Sequence, residues 1–267
     1  MLRVIFILLL SVSVSTNTFA QKKMKEHKIK NVVGEAIGGP TNTPLEVKQM
    51  AINNAKIEAL KKAGIEEHIN AYTDYFRSET NNQMDEIFTK DIISNIRGSV
   101  INVEEVGLKQ GFSPEGNIKA TVTINCTVLE YLTPKDLEFD VWVEGIKKIY
   151  KQGDSLSFEV KPTNECYVRA FMFTKKEDFV LFPNDYEQSI LIPKLATQRF
   201  PTFDGTYEVD AGGENKELNR LILVFLKKDI PYTGEVAYKH ITAWIMTIPP
   251  DERIIKSFSM DVYKDID

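Results

Sequence analysis

Apolar and polar residues alternate with a period of two through many short segments of the chain, which is typical of strands with one buried face. The clearest case is residues 117–131, where the apolar positions of one face are Val122, Ile124, Cys126 and Val128. A partner strand is predicted over residues 100–108, because a turn rich in Gly, Pro and Asn joins the two at residues 111–117. Together these segments predict an antiparallel hairpin.

A helical pattern precedes this hairpin. Residues 27–36 are predicted as a strand, and a helix is predicted from Pro44 to about Ala63. Thr43 and Glu46 have the spacing of a capping box at its start. Four alanines lie on one face at intervals of four residues: Ala51, Ala55, Ala59 and Ala63. Core packing is the expected role of this stripe, and a site for a partner helix is the alternative. Residues 66–95 are predicted to be mostly helical.

The second half of the chain alternates short apolar segments with turns. Leu137, Phe139, Val141 and Val143 are predicted to share one strand face, and an apolar run at 221–226 has the length of a strand. Helical spacing from Ala237 to Ile248 interrupts this rhythm before a last strand at 254–262. This alternation predicts a β-sandwich-like domain with one late helix.

Pro134 and its polar neighbours follow a clear strand, so we place a domain boundary there. The predicted fold class is α+β. An N-terminal domain of strand, long helix and antiparallel strands covers residues 21–133, and the sandwich-like domain covers residues 134–267.

Residues 1–20 have the three-part pattern of a cleavable signal peptide. Arg3 supplies a positive charge, an apolar run begins at Val4, and small residues lead to Ala20. The apolar run is too short to span a bilayer as a helix. No cysteine follows it closely, so we expect no lipid anchor. No later apolar run approaches 18 residues, so we also expect no membrane-spanning helix. The expected location is the periplasm or the extracellular space.

Composition narrows the classes of function. The 267 residues are 43% hydrophobic, which is ample for a packed core, and the net charge of −5 argues against a nucleic-acid binder.

Export permits disulfides. The two cysteines, Cys126 and Cys166, fall on predicted strands of different domains, so we expect two buried, unpaired thiols.

Known chemical motifs are missing from the sequence. It has no G-x-S-x-G, H-x-x-x-H or C-x-x-C segment, so no catalytic residue, metal ligand or cofactor is predicted. Asp185 and Glu187 are spaced to share a face, as paired acids of a hydrolase would require. We expect them instead to be solvated loop charges.

The second half carries a set of specific short motifs: Tyr150-Lys151-Gln152-Gly153-Asp154, Cys166-Tyr167-Val168, Leu181-Phe182-Pro183-Asn184, Leu221–Phe225 and Ala243-Trp244-Ile245. Over about residues 137–262 it resembles a bacterial envelope family called domain of unknown function 4384. The first half resembles the amino-terminal domains of flagellar assembly protein T and of small envelope lipoproteins. That likeness rests on Gly34-Glu35-Ala36, the alanine-rich helix and the strand pair. Neither resemblance implies a catalytic residue.

These observations favour a non-enzymatic protein of the cell envelope that binds a partner protein or takes part in assembly. A module for a surface glycan or another small ligand is the alternative, and an exported hydrolase is a third. The turn-rich loops 175–178, 184–188 and 212–215 are the candidate contact surface. The candidate contact residues are Lys175, Asp178, Asn184 and Tyr186.

Overall fold

The computed structural model describes residues 23–65 and 96–264, which form a mostly β protein with few helices. The α+β class with one early and one late helix is confirmed. The predicted signal peptide at 1–20 and the predicted helical stretch at 66–95 lie outside the described residues.

The N-terminal half is an antiparallel sheet covered by one helix. Its elements are β1 (Met24–Ile37), α1 (Pro44–Lys62), β2 (Gly98–Phe112) and β3 (Ile118–Tyr131), and the strand order is β1-β3-β2. The predicted capping box is present at the start of α1, where Thr43 and Glu46 bond to each other's backbone N–H groups. Local sequence signals therefore define this helix.

The alanine stripe of α1 packs into the core, as predicted. Ala51, Ala55 and Ala59 are fully buried. A Cβ atom at Gly34 of β1 would lie 2.1 Å from the Ala51 carbonyl oxygen and 2.3 Å from the Ala55 nitrogen. Only glycine permits this close approach of the helix backbone to the sheet.

The C-terminal half contains the remaining elements. In chain order they are β4 (Val141–Glu144), β5 (Ile149–Lys151), β6 (Ser155–Leu156), β7 (Phe158–Pro162), β8 (Tyr167–Phe173), β9 (Asp178–Phe182), β10 (Gln198–Phe200), β11 (Tyr207–Glu208), β12 (Lys216–Leu226), α2 (Tyr238–Met246) and β13 (Arg253–Tyr263).

Their strands form one large sheet and two small ones. The large sheet has the order β5-β13-β12-β8-β9, and the small sheets are β10-β7-β4 and β11-β6. Buried side chains of the large sheet, including Leu223 and Phe225, share a core with Phe158 and Phe200 of the β10-β7-β4 sheet. The Phe158 and Phe200 rings stack at 5.1 Å. The large sheet and the two small sheets enclose one core, which matches the predicted sandwich-like arrangement.

One predicted strand face is wrong at its first residue. Phe139 and Val141 are buried as expected, but Leu137 is 88% exposed. Because β4 begins only at Val141, the strand alternation does not extend back to residue 137.

Helix α2 packs on the opposite face of the large sheet. Trp244 meets Phe171 edge-on with ring centroids 5.9 Å apart, and Tyr238 meets Phe173 at 5.2 Å. This core continues into the N-terminal half, where the Tyr131 hydroxyl donates a hydrogen bond of 2.7 Å to the Met246 carbonyl. Within residues 23–65 and 96–264, neither helix combines the length and apolar character needed to cross a bilayer.

An ionic cluster joins the start of β1 to the turn before β13. The Lys23 ammonium lies 2.7 Å from an Asp251 oxygen and 2.5 Å from a Glu252 oxygen. Lys228 also pairs with Glu252, and the Thr133 hydroxyl donates to Asp251. Although burial raises the pKa values of both carboxyls, the hydrogen bonds from Lys23 and its neighbours bring these pKa values below their ordinary range. We call this group the Lys23 cluster.

Candidate functional site

A cavity of about 360 Å³ opens beside β9. The three loops singled out from the sequence all contribute to its lining. The β8–β9 turn meets the segment before β12 because Phe173, at the end of β8, pairs with Arg220 near the start of β12. The 184–188 loop follows the other end of β9, and Phe179, Val180 and Leu181 of β9 line the cavity between that loop and the β8–β9 turn. Antiparallel pairing thus brings together loops that are distant in sequence.

Two buried polar side chains form the inner wall of the cavity. Glu217 and Asn219 are only 4% and 2% exposed, and both lie on the β12 face that continues inward with Leu221. Glu217 Oε1 accepts a hydrogen bond of 2.5 Å from the Lys175 N–H. Asn219 Nδ2 donates one of 3.1 Å to the Asp210 carbonyl.

Each of these side chains also has an oxygen that lacks a partner. Among the described residues, Glu217 Oε2 and Asn219 Oδ1 are buried without any hydrogen-bond donor. A buried acceptor left in this state costs free energy that a donor from a ligand or water would recover. Both oxygens therefore make the inner wall suited to a group that donates hydrogen bonds.

Gly212 packs directly against one of these buried oxygens. Its φ of +59° is in the left-handed region, and a Cβ atom there would lie 2.3 Å from Glu217 Oε2. The neighbouring Gly213 also has a positive φ, +90°, but a Cβ atom there would meet nothing within 4 Å. A side chain at residue 212, and not at residue 213, would close the space in front of the carboxylate.

The expectation that both Asp185 and Glu187 are solvated loop charges is wrong for Glu187. Asp185 is exposed, but Glu187 is 2% exposed and accepts hydrogen bonds from the Thr202 N–H, the Thr202 hydroxyl and Asn184 Nδ2. The Tyr207 hydroxyl donates a fourth bond of 2.5 Å. Burial, together with this bond to the carboxylate, raises the pKa of Tyr207 well above its usual range. Glu187 therefore holds its loop against the β10–β11 connection.

Two of the four predicted contact residues line the cavity. Asn184 organises its own turn: its amide donates to the Leu181 carbonyl, and its oxygen accepts from the Tyr186 and Glu187 N–H groups. Tyr186 is 80% exposed, and its ring stacks on Phe203 at 5.9 Å. The sequence therefore identified one structural residue of the loop and one exposed aromatic residue on the rim.

The other two predicted contact residues face elsewhere. Lys175 reaches the site through its backbone N–H, while its ammonium pairs with Glu214 at 2.9 Å. Asp178 accepts a hydrogen bond of 2.9 Å from the Tyr238 N–H, the first residue of α2. Burial raises the pKa of the Asp178 carboxyl. Asp178 therefore caps the late helix and does not line the cavity.

Negative charge predominates around the cavity. Its lining includes one ammonium group, that of Lys176, and the following five carboxylates: Glu177, Asp185, Glu208, Asp210 and Glu217. Apolar side chains, among them Phe179 and Leu181, complete the wall. This combination favours a cationic group attached to an apolar stem.

Sequence reasoning did not identify Glu217 and Asn219 because the strand was predicted to start at Leu221. Glu217, Asn219, Leu221 and Leu223 form one period-two series, so extending the alternation backward would have placed both polar residues inside. This alternation was the signal in the sequence that could have identified both buried polar residues.

The two thiols are free and buried, as predicted. Burial raises the pKa of the Cys166 thiol to about 12. Across the described parts of the chain, no group of three or more His, Cys, Asp or Glu residues is placed to hold a metal ion.

The fold and the site together define a β-sandwich-like domain with a cavity beside β9 whose charged groups are mostly acidic. Residues 149–219 of this domain match the family model named Domain of unknown function (DUF4384). The resemblance noted for the second half is thereby shown, over a shorter range than the predicted 137–262. All the residues that line the cavity, from Leu156 to Asn219, fall within the match. No curated protein matches the chain, and the resemblance of the first half stays a prediction.

Proposed function

We propose that this chain is an exported, non-enzymatic protein of the bacterial cell envelope that binds a partner protein through the cavity beside β9. The observation that carries the proposal is the convergence of the 175–178, 184–188 and 212–215 loops on one cavity. Loops of a rigid scaffold that meet at a concave site are the usual location of binding residues.

The chemistry of the lining supports binding. Glu217 Oε2 and Asn219 Oδ1 are buried acceptors that a ligand would satisfy, whereas the four hydrogen bonds of Glu187 already use its carboxylate. Tyr186 adds exposed aromatic surface at the rim, and aromatic residues are enriched where proteins meet. The inner wall supplies specificity and the rim supplies contact area.

The location is part of the proposal and rests on the pattern of residues 1–20. A charged start, a short apolar run and small residues before Gln21 support export through a cleaved signal peptide. Export would place the cavity outside the cytoplasm, where surface and periplasmic proteins are its available partners.

Affinity isolation from envelope fractions tests the proposal with two matched variants. Tyr186→Ala removes an 80% exposed side chain at the rim, and Leu137→Ala removes an 88% exposed one away from the cavity. Both should keep the melting temperature, because neither side chain is buried. We expect the isolation to yield a partner protein. In a two-component assay, purified wild type and Leu137→Ala should bind this partner equally, and Tyr186→Ala should bind it at least about tenfold more weakly. Equal binding by Tyr186→Ala would place the contact elsewhere.

A surface glycan is the second candidate ligand. Exposed Tyr186, stacked on Phe203, offers an aromatic face beside carboxylate and amide acceptors, a combination that also suits sugar hydroxyls. A glycan array with wild type and Tyr186→Ala separates the two candidates. Saturable binding of a defined glycan that Tyr186→Ala loses would favour the second. Turnover in a hydrolase panel that a single carboxylate substitution abolishes would favour an enzyme.

A further inference from the structure

We propose that the cavity beside β9 takes the guanidinium group of an arginine side chain from the partner protein. The inference rests on the proposed function and names the chemistry that the site recognises. Three independent features carry it: two buried acceptors without donors, an excess of carboxylates, and an aromatic and apolar wall.

The first feature is the pair of acceptors on the inner wall. Residues 217 and 219 are two apart on one strand face, so their Cα atoms lie about 6.7 Å apart, and both residues line the same cavity. Each has one buried oxygen without a donor. A guanidinium group carries five N–H donors on a rigid plane and can bond acceptors on two edges at once. An ammonium group is a single compact centre and bridges such a pair less well.

The second feature is charge. The five carboxylates of the lining, against the single ammonium of Lys176, produce a negative potential that attracts a cation and disfavours an anion. Glu217 contributes most because it is 4% exposed, and electrostatic interactions are stronger where water is excluded. A hydrogen bond from a cation to this carboxylate would be charge-assisted.

The third feature is the wall that the arginine stem and plane would contact. Phe179 and Leu181 offer apolar surface to the methylene groups. Tyr186 and Tyr207 also line the cavity, and a guanidinium plane stacks favourably on aromatic faces. The cavity thus suits both the charged head and the stem of the side chain.

The test uses three blocked pentapeptides, acetyl-Ala-Ala-X-Ala-Ala-amide with X as arginine, lysine or citrulline. Citrulline keeps the shape of arginine without its charge. Each is titrated into the purified, ¹⁵N-labelled protein while backbone amide shifts are recorded. We expect saturable shifts at the Lys175 and Gly212 amides with the arginine peptide. Its dissociation constant should be severalfold lower than that of the lysine peptide and about tenfold or more below that of the citrulline peptide.

Two pairs of variants locate the binding group. Glu217→Gln removes the buried charge, and Glu214→Gln removes a charge three residues away that pairs with Lys175 outside the cavity lining. Gly212→Ala fills the space before Glu217 Oε2, and Gly213→Ala introduces a side chain at a similar positive φ without filling it. We expect Glu217→Gln and Gly212→Ala to weaken arginine-peptide binding at least about tenfold, and the two controls to change it less than about twofold.

The outcomes separate this inference from the proposed function. Equal binding of the citrulline peptide, equal or tighter binding of the lysine peptide, or no shifts at the cavity would overturn the guanidinium assignment. Each of these results would leave the partner assay with Tyr186→Ala as an independent test of the site. The spectra also show whether Glu217→Gln and Gly212→Ala keep the fold. If they do not, the peptide comparison on the wild-type protein still tests the assignment. Weakening of arginine-peptide binding by Gly213→Ala or Glu214→Gln as large as that by their partner variants would also reject it.

Discussion

Individual residues in this protein acquire their roles from contacts that are distant in sequence. Glu187 and Glu217 are both acidic residues in or beside predicted loops, yet both are buried, and one has all its bonds made while the other lacks a donor at Oε2. Local sequence cannot distinguish these states, because the groups that satisfy Glu187 come from residues 184, 202 and 207. Burial of a polar residue inside a period-two strand series, as at Glu217, is the part that sequence can predict.

The two thiols give a prediction at the same scale. Burial raises the pKa of Cys166 to about 12 and also raises that of Cys126, so both thiols form less thiolate at pH 8 than a free cysteine does. We expect the folded protein to react with a thiol-specific aromatic disulfide very slowly, and the denatured protein to release two equivalents of chromophore. Rapid labelling of the folded protein would contradict the burial. A non-reducing mass two hydrogens lower would contradict the free state.

Elements with strong local signals were predicted well. Helix α1 has a capping box and an alanine stripe, and the β2–β3 hairpin has turn chemistry and clear alternation, so both follow from neighbouring residues alone. The shortest strands, β5, β6, β10 and β11, contain only two or three residues each and are defined by their pairing partners. Such elements carry too few residues for a period to be visible.

The Lys23 cluster gives a prediction about how elements are joined. We expect Lys23→Met to lower the free energy of unfolding by about 1 kcal/mol at pH 7, since the ion pairs are partly exposed. Because the pKa values of Asp251 and Glu252 are depressed on folding, their contribution is present above about pH 4.5 and is lost as the pH falls through the folded values. The difference between variant and wild type should therefore shrink below about pH 4 in urea titrations.

The matched control for this measurement is Lys25→Met, on the same strand. Lys25 is 58% exposed and its ammonium lies 3.9 Å from Glu130, so its loss should change stability by less than about 0.5 kcal/mol at every pH. A Lys23→Met deficit that stays constant from pH 7 to pH 3 would show that the carboxylates do not carry the effect.

At the scale of the whole molecule, the two halves share a core. One hydrophobic cluster runs from the alanines of α1 through α2 to Ile222 and Val224 of the large sheet. The domain boundary predicted at residues 132–135 stays a prediction. The sequence indicates a turn there, because Pro134 and polar residues follow a strand. The contact between the two halves is made through α2, which lies about 110 residues further along the chain than that turn. The sequence order of the elements does not reveal that contact.

The candidate site, too, could be predicted from the sequence only in its parts. Turn chemistry identified the three loops separately, and antiparallel pairing of β8 with β12 brings two of them together. Their convergence on one cavity became visible only with the strand order. The claim that these loops form a single contact surface is central to the proposed function.

Site-specific photo-cross-linking in intact cells tests that claim most directly. A photoreactive phenylalanine analogue is placed in turn at positions 176, 186 and 213, one in each loop, and at two exposed control positions, Leu45 and Leu137, which are 74% and 88% exposed. We predict that all three loop positions give an adduct of the same mass with the same partner and that the controls do not. Adducts at the control positions alone, or different partners from the three loops, would contradict a single contact surface.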